Sequence, residues 1–248
     1  MTRFTNRYAE RAVEYAAHRP TYPAALVDFL ADAAPRRGLA WDSGCGSGQL
    51  SVPLAVRFAR VIATDASAAQ LAQAMPRSTV EYRCAPAEAS GLPDAAVDVA
   101  TAAQAAHWFD LPAYYAEVRR VARPGAIVAL VSYGLMTVAQ DVDPVIGHFY
   151  ATVAGPHWPP ERRHVEDGYR SLPFPFDELE APRLEIRMSW TLAEVVAYVE
   201  TWSAVGAMRQ ARGDAPLEAF RRDLARAWGS PAARRPIRWP LSLRVGRL

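Results

Sequence analysis

Short runs rich in apolar residues alternate with stretches of helical periodicity through the first half of the chain. The predicted strands lie near 38–42, 60–64, 79–83, 96–102 and 126–132. The predicted helices between them span 48–58, 67–75 and 111–122. Strands and helices that alternate in this way are joined by right-handed crossovers. The pattern therefore predicts an α/β fold with a parallel sheet and helices on both faces.

The pattern is different outside this region. Residues 4–31 have helical periodicity, which is interrupted at 19–23 by two prolines. The segment 136–182 is rich in proline and aromatic residues, and it predicts short helices and irregular loop. A long segment of this kind between strands is often a lid. Strands over 184–188 and 237–245 then flank helices that begin at Thr191 and at about residue 215.

A glycine-rich turn joins the first predicted strand to the helix that follows it. Gly44, Gly46 and Gly48 alternate with small residues, and Asp42 stands two positions before the first glycine. Glycine tolerates positive φ and lets the backbone approach a ligand closely. The helix N-terminus behind the turn offers N–H groups to a polar or anionic ligand. We therefore predict a binding niche here, and a structural turn without a ligand is the alternative.

An acid ends the second predicted strand. Asp65 follows Gly44 by 21 residues, and a carboxylate at this place accepts hydrogen bonds from ribose hydroxyls in nucleotide-binding α/β folds. Asp65 is also suited to cap the next helix, because aspartate is a favoured N-cap residue. In the dinucleotide fingerprint the third glycine comes one residue later than Gly48. The spacing is therefore a poor fit to a nicotinamide cofactor.

A second group of polar and aromatic residues follows the fourth predicted strand. Ligands of open α/β sheets bind beyond the carboxyl ends of the strands, so Gln104, His107, Trp108 and Phe109 are expected to face the same crevice as the glycine turn. His107 is a candidate general base, and a histidine hydrogen-bonded to the backbone is the alternative. The two aromatic rings form either apolar walls of a pocket or ordinary core.

Composition excludes several kinds of chemistry. All 28 basic residues are arginine, so a Schiff-base lysine, pyridoxal-phosphate attachment and a P-loop lysine are absent. Two cysteines form neither a disulfide scaffold nor a zinc site. The net charge of +2 argues against a general nucleic-acid binder. Because no apolar run reaches the length of a membrane span and no signal sequence is apparent, we expect a soluble cytoplasmic protein without membrane partners. The abundance of Ala, Arg and Pro indicates a bacterial source.

The run from Asp42 to Gly48 resembles motif I of class I S-adenosylmethionine-dependent methyltransferases. Tyr15-x-x-x-Arg19-Pro20-x-Tyr22-Pro23 and Gln104-x-x-His107-Trp108-Phe109-Asp110 are similar to the trans-aconitate-methyltransferase-like subgroup, often described as type 11. The resemblance covers nearly the whole chain. It implies a Rossmann-like seven-stranded sheet of order 3-2-1-4-5-7-6, with strand 7 antiparallel.

The resemblance also implies that S-adenosylmethionine is the cofactor and that a small carboxylic acid or hydroxylated metabolite is the methyl acceptor. The residues expected to bind the cofactor are Tyr15, Arg19, Asp42, Gly44, Cys45, Gly46, Gly48, Asp65, Ala66, Ala87, Glu88 and Gln104. Those expected at the acceptor are Tyr22, His107, Trp108 and Phe109, and no metal site is expected. The arginines nearest to a carboxylate acceptor by sequence are Arg162, Arg163 and Arg170. We expect a monomer or homodimer that acts on a small molecule.

A single domain with four parts follows from these patterns. They are an N-terminal helical cap (1–35), a cofactor-binding core (36–135), a lid insertion (136–182) and the C-terminal part of the sheet (183–248). Two alternatives remain open beside the enzyme: a scaffold or regulator that binds S-adenosylmethionine without turnover, and a nicotinamide-dependent oxidoreductase.

Overall fold

A computed structural model of the protein describes residues 19–248. Eight strands form the sheet. They are β1 (Leu39–Ser43), β2 (Arg60–Asp65), β3 (Val80–Cys84), β4 (Val97–Ala103), β5 (Ala122–Tyr133), β6 (Asp177–Leu179), β7 (Glu185–Trp190) and β8 (Arg235–Arg247). The α-helices are α1 (Ala24–Ala33), α2 (Ser51–Leu54), α3 (Ala68–Leu71), α4 (Leu111–Val121), α5 (Asp143–His148), α6 (Arg162–Glu166), α7 (Leu192–Glu200), α8 (Ser203–Arg212) and α9 (Ala215–Trp228).

The strand order is β3-β2-β1-β4-β5-β8-β6, with β7 also paired to β8. The first five strands of this order are parallel, and β8 is antiparallel to β5, β6 and β7. The α/β fold class and the parallel core predicted from the sequence are confirmed. The carboxyl ends of β1, β2 and β4 consequently lie at one edge of the sheet, where the predicted site residues follow them.

The far side of the sheet differs from the prediction, which had seven strands. Strand β8 spans 13 residues and is longer than predicted. Its first half pairs with β7 and its last three residues pair with β6, so both strands share one partner. Strand β6 has only three residues and lies in the segment that the sequence predicts to be a lid. Three residues carry no detectable period, so its pairing depends on the tertiary contact with β8.

Two apolar layers cover the sheet. Along β5, Ile127, Ala129 and Val131 pack into one layer, and Val128 and Leu130 pack into the other. This alternation follows from the two-residue period of a strand, whose side chains point to opposite faces in turn. The first layer includes side chains of α1, α7, α8 and α9, and the second includes those of α4. Helices therefore lie on both faces, as predicted.

The two helices beside the glycine turn are shorter than predicted. Gly48 has φ +90°, which is incompatible with an α-helix, so α2 begins only at Ser51.

In the predicted lid, α5 is followed by one π-helical turn, Phe149–Val153, and by a 3₁₀ turn, Gly155–His157. Phe149 stacks on Phe220 of α9 at 4.2 Å between ring centroids. The segment is thus packed onto the C-terminal helices. Between residues 19 and 248, no helix has the length and apolar character needed to cross a membrane.

Candidate active site

The glycine turn between β1 and α2 is held by strand β2. The backbone N–H of Cys45 donates to the Thr64 carbonyl at 3.0 Å. All three glycines have positive φ, between +58° and +90°. A Cβ at Gly44 would come within 2.5 Å of Ala105 Cβ, whereas a Cβ at Gly46 would have its nearest neighbours at 3.7 Å. The turn is therefore tightly packed against the second motif at Gly44 and less crowded at Gly46.

Asp42 lies beneath the turn and not in the crevice. It is 1% exposed, and its carboxylate accepts hydrogen bonds from Ser51 Oγ at 2.6 Å and Thr101 Oγ1 at 2.9 Å. Asp42 and Thr101 are neighbours in the register of β1 with β4. Burial raises the pKa of Asp42 to about 6. The carboxylate therefore joins strand, turn and helix, which makes Asp42 a positioning residue rather than the direct cofactor contact expected from the motif.

This burial predicts a pH-dependent stability. Because folding raises the pKa of Asp42 from its ordinary 3.8 to about 6, the protonated form is favoured in the native state. Protonated Asp42 therefore contributes to the free energy of unfolding below pH 4. This contribution, about 3 kcal/mol, is lost as the pH rises through 6. Asp42→Asn removes this titration, so its free energy of unfolding relative to the wild type should increase between pH 4 and pH 7.5. Urea unfolding of both proteins at the two pH values measures the change. A difference that is the same at both would contradict the assignment.

Asp65 reaches the edge of the crevice from the end of β2. Its Oδ2 accepts the Gly46 N–H and its Oδ1 accepts the Ser67 N–H, both at 2.8 Å. The side chain is half-buried, and burial raises its pKa. The N-cap of α3 is Ser67, whose Oγ accepts the Gln70 N–H. Asp65 therefore does not cap the helix, and its remaining lone pairs are available at the crevice.

The other residues expected around the cofactor lie near these two motifs, in different environments. Cys45 is buried, and burial raises the pKa of its thiol well above its ordinary value, so it stays protonated. Ala66 is exposed and Ala87 is buried. Glu88 accepts the Asp110 N–H at 2.9 Å and so joins the β3 loop to the start of α4. Tyr15 lies outside the described residues.

A cleft opens beyond the ends of β4 and β5. Its cavity volume is about 40 Å³, and it is open to solvent on one side. Its described lining is formed by Arg19, Gln104, His107, Trp108, Tyr133, Gly134, Leu135, Tyr150, Trp158, Pro159, Arg162, Tyr198, Trp202 and Ser203. The predicted lid supplies four of these residues, and α7 and the start of α8 supply three more. The cleft is thus walled by segments that are far apart in the sequence.

Gln104 has a strained backbone conformation directly after the carboxyl end of β4. Its φ is +54°, which non-glycine residues seldom adopt, and its Nε2 donates to the Tyr133 carbonyl at 2.7 Å. Tyr169, which contacts His107, has φ +64°. Strain of this kind tends to be retained at functional sites. It supports the assignment of this end of the sheet as the site, with Gln104 at the cleft.

His107 is neutral in this environment. Its Nδ1 shares a hydrogen bond with the Tyr169 hydroxyl at 2.8 Å. Burial lowers the pKa of His107 to about 3, and the charges of Arg162 and His164 act in the same direction. The backbone-bonded alternative is therefore wrong for this ring nitrogen, because its partner is a side chain. A histidine with so low a pKa is a weak base.

Some predicted residues do not line the cleft. Tyr22 is buried, and its ring packs 6.2 Å from that of Tyr133, behind the cleft wall. Phe109 packs on Tyr114 at 4.9 Å and lies against Gly44. The structure thus places Phe109 at the glycine turn and outside the described lining of the cleft. Arg163 and Arg170 are exposed on the surface, which leaves Arg162 as the arginine of that group at the cleft.

Sequence reasoning missed most of the cleft's aromatic wall. Tyr133 ends a strand and Tyr198 lies on an amphipathic helix. At both places the sequence pattern predicts an aromatic residue that packs in the core. Trp202 lies in the turn between α7 and α8, and no pattern in the sequence places it at the cleft. The signal that was available is the aromatic content of 136–182, and Tyr150 and Trp158 do come from that segment.

The charged side chains in the described lining of the cleft are all positive. Its described lining contains Arg19 and Arg162 and no aspartate or glutamate. Arg19 donates to the Thr201 carbonyl at 3.4 Å and lies 5.4 Å from the Tyr198 ring centroid. The arrangement can hold a small anion beside aromatic rings.

Comparison with known proteins gives consistent matches. A family described as a methyltransferase domain matches residues 41–130. A presumed methyltransferase of Dictyostelium discoideum is 32% identical over 231 residues, which cover 92% of this chain and 88% of that protein. A solved structure of a presumed type II methyltransferase from Anaeromyxobacter dehalogenans has a TM-score of 0.87 at 52% identity, and the match covers 92% of this chain and 97% of that one. A malonyl-[acyl-carrier protein] O-methyltransferase of Serratia marcescens is 38% identical over 89 residues, 35% of each chain.

Proposed function

The chain belongs to the class I S-adenosylmethionine-dependent methyltransferases, and from this premise we propose that its methyl acceptor is an oxygen atom of a small carboxylic acid. The cofactor supplies an activated methyl group, so a carboxylate oxygen bonds to the methyl carbon while the carbon–sulfur bond breaks and its electron pair returns to sulfur. The task of the protein is to align the two reactants and to exclude water.

The residues at the glycine turn fit the cofactor. A Cβ at Gly46 would make only ordinary van der Waals contacts, so protein atoms do not crowd the backbone there and a ligand can approach it closely. Each oxygen of Asp65 accepts one backbone N–H, and each retains a lone pair for a ribose hydroxyl. We therefore assign cofactor binding to the glycine turn and to Asp65. Gln104 and Arg19 are expected to contact the cofactor from the side of the cleft.

The observation that carries the choice of acceptor is Arg162, in a cleft whose described lining contains no aspartate or glutamate. A neutral amine or alcohol gains nothing from this cation, whereas a carboxylate accepts charge-assisted hydrogen bonds from a guanidinium group. The Serratia relative is by name an O-methyltransferase, which supports oxygen as the atom methylated. The narrower likeness to the trans-aconitate-like subgroup stays a prediction.

The state of His107 favours an acceptor that needs no base. Moving a proton from a phenol, with a pKa of about 10, to a histidine with a pKa of about 3 costs about 9–10 kcal/mol. A carboxylic acid is already ionised at neutral pH and avoids this cost. We therefore assign His107 a role in the shape and hydrogen bonding of the cleft, and we expect no proton transfer to it.

The direct test is a substrate screen. We would incubate the protein with S-adenosylmethionine and small carboxylic acids, phenols, alcohols and amines, and detect a gain of one methyl group by mass spectrometry. We expect methylated acids whose new group is removed by mild alkali, because esters hydrolyse and ethers do not. Methylation confined to phenols or amines would refute the proposal. Binding of S-adenosylhomocysteine with no methylated product across the whole panel would favour the scaffold alternative.

Replacing His107 separates the two kinds of acceptor. His107→Gln should lower kcat for the best acid by less than about fivefold, because no proton is transferred. The kcat of the wild type should also be flat from pH 6 to 9. A loss of about a hundredfold or more, with a rate that follows an ionisation, would show that a base is required. His148→Gln, at an exposed histidine of α5 outside the cleft, is the matched control.

A further inference from the structure

We propose that the acceptor is a planar aromatic or conjugated acid, which Arg162 binds through the carboxylate while the cleft's rings pack against the acceptor's flat body. The inference rests on the proposed function and makes it narrower. It depends on the aromatic wall, on the way in which Arg162 is held, and on the exposed ring of Trp108.

The wall is a continuous set of rings. Trp158 lies 5.1 Å from Tyr150 and 5.7 Å from Trp202, and Trp202 lies 5.9 Å from Tyr198, all between ring centroids. These residues come from the predicted lid, from α7 and from the turn before α8. Aromatic rings prefer offset or edge-to-face contacts with other rings, which gives a planar ligand an advantage beyond its buried area.

Arg162 is fixed on this wall. Its guanidinium carbon lies 4.7 Å from the Trp158 ring centroid, and its Nε donates to the Tyr150 hydroxyl at 2.9 Å. The same hydroxyl donates to Glu166 at 2.6 Å. Within residues 19–248 the two terminal nitrogens, Nη1 and Nη2, make no hydrogen bond or salt bridge. The planar edge that binds a carboxylate in two parallel hydrogen bonds is therefore available, and its orientation is already set.

Trp108 also lines the cleft. It is 36% exposed, and its ring lies 4.6 Å from that of His107. Among the described residues only Val56 and Met75 are comparably exposed large hydrophobic side chains, and neither lines the cleft. An apolar ring exposed inside an arginine-lined cleft is suited to cover the face of a flat ligand. The described lining of the cleft thus combines Arg162 as an anion anchor with several aromatic rings.

The test measures binding apart from turnover. The wild-type protein, saturated with S-adenosylhomocysteine, is titrated by calorimetry with benzoate, trans-cinnamate, cyclohexanecarboxylate and benzamide. We expect the planar acids to bind about 3- to 10-fold more tightly than the saturated acid, which has the same charge and nearly the same size. Benzamide, which keeps the ring and lacks the charge, should bind at least tenfold more weakly than benzoate.

Variants assign the anchor. Arg162→Met should weaken benzoate binding by about 10- to 100-fold and leave benzamide unchanged, because only the charged group loses its partner. Arg162→Lys should recover part of the loss, since it keeps the charge without the planar fork. Arg163→Met, at the exposed neighbour on α6, should change neither affinity.

The outcomes separate this inference from the proposed function. Equal or tighter binding of cyclohexanecarboxylate overturns the planar class, and equal losses in Arg162→Met and Arg163→Met overturn the anchor. If the screen yields methyl esters of saturated acids in preference to planar ones, the proposed function stands and this inference fails. If planar acids bind through Arg162 and no ester forms, the inference about binding stands and the proposed function fails.

Discussion

Replacing Asp65 by alanine is expected to weaken the binding of S-adenosylhomocysteine by about 2–4 kcal/mol, which is roughly 30- to 1000-fold. The carboxylate accepts the Gly46 and Ser67 N–H groups, so its loss frees the glycine turn and also removes the expected ribose contacts. The free energy of unfolding should change much less, by under about 1.5 kcal/mol. Burial already disfavours this charge, so its removal offsets part of the lost hydrogen bonding.

Calorimetry and urea unfolding of the same samples check both halves of this prediction. Asp65→Asn keeps the shape and one acceptor oxygen, and it should fall between the wild type and the alanine variant. Asp110→Ala removes an exposed carboxylate that caps α4 near the same crevice, and it should leave affinity almost unchanged. Full affinity in Asp65→Ala would show that this carboxylate does not bind the ribose.

Gly44→Ala is expected to destabilise the protein by about 3 kcal/mol or more and to abolish cofactor binding. A residue other than glycine in this left-handed conformation costs about 1–2 kcal/mol. The new Cβ would also meet Ala105 Cβ at 2.5 Å and the Phe109 ring at 3.0 Å. Ala105 has no side-chain torsion with which to move away, so the backbone between β4 and α4 has to shift. Chemical unfolding and calorimetry with S-adenosylhomocysteine measure the two effects.

Gly91 provides the matched control. It has φ +69°, close to the +64° of Gly44, but a Cβ there would meet nothing within 4 Å. Gly91→Ala should therefore report the backbone cost alone, about 1–2 kcal/mol, with cofactor affinity intact. Similar losses of stability in the two variants would mean that close packing between the glycine turn and Ala105 is not what requires Gly44.

Asp65 and Gly44 connect the glycine turn to β2 and to the segment after β4. Asp65 fixes the glycine turn from β2, and Gly44 packs the turn against the segment after β4 that carries His107 and Trp108. The turn that we assign to the cofactor is thus in contact with the segment that we assign to the acceptor. A change in either should alter the alignment on which methyl transfer depends.

The sequence alone determined the local features. The period of apolar residues predicted the five parallel strands and the helix α4 within a few residues, because these features repeat along the chain. The glycine turn, with Asp65 at the end of the next strand, was also readable, since positive φ and an acid at a strand end are local requirements. The convergence of Asp65 and Gln104 at one sheet edge followed from the parallel topology.

Tertiary structure decided which side chains face a ligand. Asp42 belongs to the motif but is buried beneath it, because Thr101 of β4 stands beside it in the sheet. Among three neighbouring arginines in the sequence, only Arg162 turns to the cleft, since Tyr150 and Trp158 hold it there. Tyr198 and Trp202 join the same wall from helices that come much later in the chain. Burial, partner and pKa are set by contacts between segments distant in sequence, and no local pattern encodes those contacts.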